Sequence, residues 1–314
     1  MSEEVASRRL AMATALFGAA VLSFAPLLYQ YSDTSPVTGA FFRMLYAVPI
    51  LAVLAYRVKS EDKRSSKTRA IAFAAGLLLA LDFVGYHSAI DYVGTGISTL
   101  IGNSQVIIVT LVSWWLLGER PNRSILLALP LVMIGLALIS GIWDDEPYGA
   151  DPFKGVVASI FAAIFYSSFL LVYRYSNREM APSSSLQFDA TLGAATGLLI
   201  VGLMPLGTIG IEQIDFVISW PGHAWLLLLA ISCQVTGWLA ITHALPRLPG
   251  AHTSFAVLTQ PVLTIVWGTI ILGEDPSLQQ SAGMALILAS IISVTIFGEA
   301  KANSGSEVGV QGER

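Results

Sequence analysis

STLIGNSQVIIVTLVSWWLLGERP, residues 98–121, returns as TSFAVLTQPVLTIVWGTIILGEDP at 253–276. Aligned without gaps, Gln105 falls on Gln260, Leu117 on Leu272, Gly118 on Gly273, Glu119 on Glu274 and Pro121 on Pro276, while Ser98, Thr99 and Ser104 meet Thr253, Ser254 and Thr259. Each copy is an apolar run with a Gln near its middle. Each closes in Leu-Gly-Glu-x-Pro, where Gly and Pro stop a helix. A denser match lies upstream, between LFGAAVLSFAPLLYQYSD at 16–33 and IFAAIFYSSFLLVYRYSN at 160–177. There Phe17, Ala19, Ser23, Leu27, Tyr29, Tyr31 and Ser32 meet Phe161, Ala163, Ser167, Leu171, Tyr173, Tyr175 and Ser176. The chain is read as a duplication whose first and fourth apolar segments recur as the sixth and ninth.

The 314 residues are 54% hydrophobic and only 12% charged, against about 25% charged in a soluble domain. Apolar runs of roughly 20 residues, each able to cross a bilayer core, fall at 9–30, 36–56, 69–90, 95–117, 124–142, 154–174, 184–206, 221–244, 250–272 and 277–298. The single Cys, Cys233, lies inside a run, so no disulfide framework exists. Arg8 and Arg9 before the first run resemble a signal peptide, but the run ends APLLYQYSD without a small-residue cleavage site, which predicts a retained first span.

Charge placement fixes the expected topology. All but two of the seventeen Lys and Arg fall at the termini or in alternate turns: Arg57 to Arg69, Arg120 and Arg123, Arg174 and Arg178, then Arg247. The exceptions are Arg43 and Lys154. The opposite turns carry Asp33, Asp91, Asp144, Asp145, Glu146, Asp151, Glu212, Asp215, Glu274 and Asp275. The positive-inside rule then gives ten crossings with both termini cytoplasmic. Five spans per copy is an odd number, so the second copy is inverted. Glu119 ends its helix beside Arg120, and Glu274 ends the matching helix on the other side, beside Asp275. The expected fold is an all-α integral membrane protein of ten transmembrane helices in two inverted five-helix repeats, 1–146 and 147–298, followed by a disordered, Gly-, Ser- and Glu-rich cytoplasmic tail at 299–314.

Inverted repeats build secondary transporters, because two half-structures can exchange conformations about a midplane site. A duplicated membrane scaffold or receptor is the competing reading and does not need the inversion. The arrangement resembles the drug/metabolite transporter superfamily, specifically EamA-type ten-helix carriers. The resemblance rests on LLGERP and ILGEDP, on FFRML at 41–45, and on the five-plus-five repeat, and it covers about 9–298. Pro261 sits mid-helix in the ninth span as in such carriers, but Val106 stands at the matching position of the fourth. The resemblance implies an exporter in a bacterial inner membrane, with amino acids or similar amphiphiles leading and a nucleobase, sugar derivative or drug-like compound behind. Neither a cofactor nor a nucleic-acid partner is expected, and the carrier acts as a monomer or homodimer. No Walker motif, HExxH, nucleophile elbow or Cys/His cluster is present, and every Lys lies in a loop or at a span edge. Enzymatic activity is therefore not expected.

Polar residues within the spans define the candidate site. Gln105, Gln260, Asn103, Trp238, Tyr86 and Thr242 are the expected lining of a substrate cavity, with ordinary helix packing as the alternative reading of such groups. Coupling or gating is expected of Asp82, His87, Arg43 and Asp189. Asp82 and Tyr86 share a helix face, with His87 about 100° round. An intramembrane carboxylate near an imidazole suits a proton relay. Arg43 aligns with Asp189 in the repeat, and both could instead be snorkelling charges that set helix depth. His243 and His252 do not make a metal site. The fifth and tenth runs are almost wholly aliphatic and suit the periphery.

Overall fold

The computed structural model describes residues 2–103, 105, 107–108, 123–140, 143, 145–176, 181–207, 211–244 and 250–293. The first closing motif at 116–121 and the tail at 299–314 lie outside these residues. Among the described residues every element is helical. The first expected span is α1 (Ser2–Leu22) and α2 (Ala25–Ser32), followed by α3 (Pro36–Arg57), α4 (Ser66–Val93), α5 (Thr95–Gly102), α6 (Arg123–Ile139), α7 (Pro152–Ser176) and α8 (Ser183–Leu203). The eighth span is α9 (Gly222–Leu229), a π-helical segment (Ala230–Gly237) and α10 (Trp238–Ala244). Next come α11 (Gly250–Leu272) and α12 (Leu278–Ser293). Each of the ten expected runs thus holds helix, although the fourth is described only to 108. Six of the described spans are long and apolar enough to cross a membrane, and shorter apolar helices cover Leu126–Ile139, Thr259–Leu272 and Leu278–Ser293.

Local chemistry sets the ends. Pro36 occupies the first turn of α3, where its missing N–H costs nothing. Ser65 caps α4 by accepting from the Thr68 N–H at 3.1 Å. Gly273, at φ 69, ends α11 in the left-handed conformation that its place in the closing motif predicts. Two interruptions matter for the site. Pro26 cannot bond back to Leu22, and α1 stops there. At the break the Ser23 carbonyl accepts from Thr264 Oγ1 (3.1 Å), the Ser23 hydroxyl accepts from Trp267 Nε1 (3.0 Å), and Phe24 stacks on Trp267. The first span is thereby tied to α11. The π segment widens the eighth span by one residue per turn, and Thr236 Oγ1 donates to the Ile231 carbonyl within it.

The two halves interlock. α4 lies along α7 and α8 of the second half, and the eighth span lies along α1 and α3 of the first. Matching the third span to the eighth, and the first and second to the sixth and seventh, turns one set of contacts into the other. Small residues permit the closest approaches. A Cβ at Gly76 would sit 2.0 Å from the Ala190 carbonyl, and one at Gly193 would sit 2.0 Å from the Phe73 carbonyl. α6 and α12 meet similarly through Gly135 and Gly283. Their outer faces expose Leu126, Leu127, Met133, Ile134 and Leu278, as befits peripheral helices.

Candidate functional site

A cavity of about 240 Å³ lies where the halves interlock. The break in the first span contributes Ala19, Leu22 and Ala25, α3 contributes Arg43, and α4 contributes Asp82, Phe83 and Tyr86. Thr99, Asn103 and Gln105 come from the fourth span, Tyr166 and Leu170 from α7, Trp238 and Ile241 from α10, and Gln260 from α11. The lining is mostly apolar with a few placed polar groups, the usual composition of a small-molecule site.

Arg43 is buried, not snorkelling. Its Nε donates to Gln234 Oε1 at 3.2 Å and its guanidinium carbon lies 4.5 Å from the centre of the Phe83 ring. Among the described residues its terminal nitrogens carry no hydrogen bond, and neither do the Asp82 carboxylate oxygens. The guanidinium and the carboxyl group line one cavity without forming an ion pair with each other. Buried charges left this way are costly unless something bridges them.

Other groups are spent on one another. The Tyr86 hydroxyl lies 2.7 Å from Thr99 Oγ1, and Asn103 Nδ2 donates to the Thr99 carbonyl at 2.8 Å, which joins α4 to the fourth span. Trp238 sets an edge against Tyr166 and Phe169. Gln105 and Gln260, the pair aligned by the duplication, both line the cavity, and Gln105 Oε1 is buried with no partner among the described residues.

Three expected residues are placed elsewhere. Thr242 donates to the Trp238 carbonyl one turn back and does not join the lining. His87 stacks on Tyr29, ring centres 4.0 Å apart, with Nδ1 at 3.2 Å from the Pro36 carbonyl. The helical turn that points Asp82 and Tyr86 at the cavity carries the next residue round toward α2 and α3. Arg43 and Asp189 do not meet. Asp189 lies near the start of α8 at the basic end of the molecule, bonded to Arg64 Nη2 (2.9 Å) and Arg69 Nη2 (3.2 Å). Arg64 also grips Asp62 with two 2.9 Å bonds, which hold that carboxyl below its usual range.

Two features carry no signal at the level of composition. Gln234 orients Arg43 from within the π segment, and its backbone carbonyl accepts from Gln187 Nε2. At the acidic end, Glu274 of the closing motif folds back over the start of α5. It accepts from the Thr95 backbone N–H, from Thr95 Oγ1 (2.7 Å) and from the Gly96 N–H (3.0 Å). Carboxylates suit helix N-termini. Glycines make the room, since a Cβ at Gly268 would lie 2.5 Å from Glu274 Oε2. Partial burial and the Glu274 charge push the neighbouring Tyr148 hydroxyl up to about 12.

Comparison with known proteins agrees with this architecture. An uncharacterized transporter of Helicobacter pylori (strain ATCC 700392 / 26695) is 24% identical over 293 residues, covering 88% of this chain and 94% of its own. The uncharacterized transporter YxxF of Bacillus subtilis (strain 168) is 24% identical over 271 residues, covering 85% and 83%. A solved structure described only as "Crystal structure of protein" superposes with a TM-score of 0.54 at 19% identity, covering 93% of this chain and 97% of its own, a likeness of fold alone. Residues 9–141 and 153–296 both match the EamA-like transporter family. The chain belongs to that family and is an integral membrane protein of transporter type.

Proposed function

We propose that the chain is a secondary transporter that exports small organic metabolites, foremost amino acids or similar zwitterionic amphiphiles, by alternating access of two inverted repeats. The observation that carries this reading is that Arg43 and Asp82 line one mostly apolar cavity without forming an ion pair with each other. A ligand with a carboxylate and an ammonium group would satisfy both at once, and its apolar part would lie against Phe83, Tyr166 and Trp238. Gln105 and Gln260 would supply amide contacts from the two halves. The basic end faces the cytoplasm with both termini, in a bacterial inner membrane, on the positive-inside rule. Export follows the family resemblance.

Asp82 also offers a coupling site. A carboxylate that meets water in one conformation and Arg43 in another changes its proton affinity, and that difference links protonation to conformation. A ligand-induced melting screen over a metabolite panel identifies the substrate, and uptake into proteoliposomes with and without a pH gradient tests coupling. Asp82→Asn is expected to abolish uphill transport and keep downhill exchange. Wild-type transport that ignores the gradient gives the uncoupled facilitator or exchanger instead, and concentrative uptake by Asp82→Asn takes Asp82 out of the coupling.

A further inference from the structure

The basic end carries a second pocket, of about 380 Å³, apart from the cavity between the halves. It lies between the last turns of α3, the connection to α4, the first turn of α4 and the first turns of α8. Lys59, Arg64 and Arg69 line it with Asp62, and Tyr56 and Phe188 form an apolar wall.

The hydrogen-bond account leaves positive charge over. Arg64 spends Nε and Nη2 on Asp62 and Asp189, and Arg69 spends Nε and Nη2 on Asp189. Arg64 is 7% exposed, and its Nη1 is buried with no partner. Lys59 makes no ion pair among the described residues. Three cations thus face two carboxylates. The 21-residue α8 starts beside them behind Pro182, which provides no side-chain cap, and Ser185 of its first turn lines the pocket. An ammonium group without an ion pair and one guanidinium nitrogen without a partner, beside a helix N-terminus to which Pro182 gives no side-chain bond, suit an anion rich in acceptor oxygens.

The position selects the anion. The pocket opens at the end of a membrane span, and its apolar wall continues into Val53 and Tyr56, which α3 exposes on its outer surface. A ligand with a phosphate at one end and an acyl chain at the other fits both parts. We propose that this pocket binds the phosphate headgroup of an anionic phospholipid from the leaflet that the basic connections face.

The test titrates delipidated full-length protein with phosphatidylglycerol or phosphatidylcholine and follows binding by intact-complex mass spectrometry. Wild type is expected to bind phosphatidylglycerol at least about ten-fold more tightly than phosphatidylcholine. A basic residue near an anionic surface is worth about five-fold. Lys59→Gln should therefore weaken phosphatidylglycerol about five-fold, and Lys59→Gln with Arg69→Gln about 25-fold, with phosphatidylcholine unchanged. Lys63→Gln with Lys67→Gln removes the same charge from exposed positions outside the pocket and should change binding by less than about two-fold. Lys59→Gln alters only an exposed side chain and keeps the test decisive if the Arg69 variant folds poorly. Equal loss in both double variants, or loss in neither, overturns the proposal. So does displacement of phosphatidylglycerol by millimolar inorganic phosphate, which would make a soluble phosphate the occupant.

Discussion

Glu274→Gln isolates the tie between the closing motif and the start of α5. The native carboxylate is 6% exposed and receives three donors. Gln has the same shape but one acceptor oxygen. If that oxygen keeps the two Thr95 bonds, the amide nitrogen faces the Gly96 N–H, donor against donor, where 3.0 Å now separates donor from acceptor. An unsatisfied buried donor costs about 1–3 kcal/mol. Loss of negative charge at a partly buried helix N-terminus adds up to about 2 kcal/mol. A total of about 2–4 kcal/mol corresponds to an apparent melting temperature lower by roughly 5–10 °C. Thermal unfolding of detergent-solubilised protein, followed by tryptophan fluorescence, measures it. Asp275→Asn, at the exposed neighbour, should shift melting by no more than about 1 °C. Thr95→Val removes one of the same bonds, so its effect should be sub-additive with that of Glu274→Gln. Native-like melting of Glu274→Gln, or full additivity with Thr95→Val, refutes the reasoning.

Three further outcomes are expected. Asp145→Cys should react with an impermeant thiol reagent from outside the cell and Lys63→Cys should not, both positions being exposed and the native Cys233 buried; the reverse pattern would sink the inverted-repeat topology. Gln105→Ala and Gln260→Ala should each weaken substrate binding by about five- to ten-fold, the loss of a hydrogen bond, while membrane abundance stays near normal; joint loss of abundance would mark them as packing residues. Gly193→Ala places a methyl group 2.0 Å from the Phe73 carbonyl and should cost about 1–3 kcal/mol or more, seen as reduced abundance and earlier melting, whereas normal melting would show that α4 and α8 can separate.

The spans were legible because hydropathy and charge placement act along the chain. Helix starts at 36 and 95 and the stop at Gly273 coincide with the expected run edges and the closing motif, whereas α4 starts at 66, three residues before its expected run, behind the Ser65 cap. The break after Leu22 departs from expectation, because the run at 9–30 reads as one uninterrupted span. The cavity was legible only in part. Gln105, Gln260, Asn103, Tyr86, Asp82 and Trp238 reach it because helical spacing and the repeat select one face. The partners of Arg43 and Asp189 were hidden, since Gln234 stands 191 residues from Arg43 and Arg64 stands 125 from Asp189. Such pairings depend on how spans pack, which intervals along the chain do not encode. The π segment left no trace either, because a one-residue widening shifts the hydrogen-bond register without changing composition. His87 shows the converse error: sharing a helix with Asp82 did not bring its ring to the cavity.

The contact between Gly76 and Gly193 has a mechanical consequence. With no side chain between the backbones, any roll or slide of α4 on α8 drives a carbonyl oxygen into a Cα, so the two helices translate as one piece. One belongs to the first copy and the other to the second. The boundary of the duplication is therefore not the boundary between moving parts. In the alternating-access cycle proposed above, the third and seventh spans would move together, and the seam that opens would run through softer joints, such as the stack of Trp267 on Phe24 and its bond to Ser23.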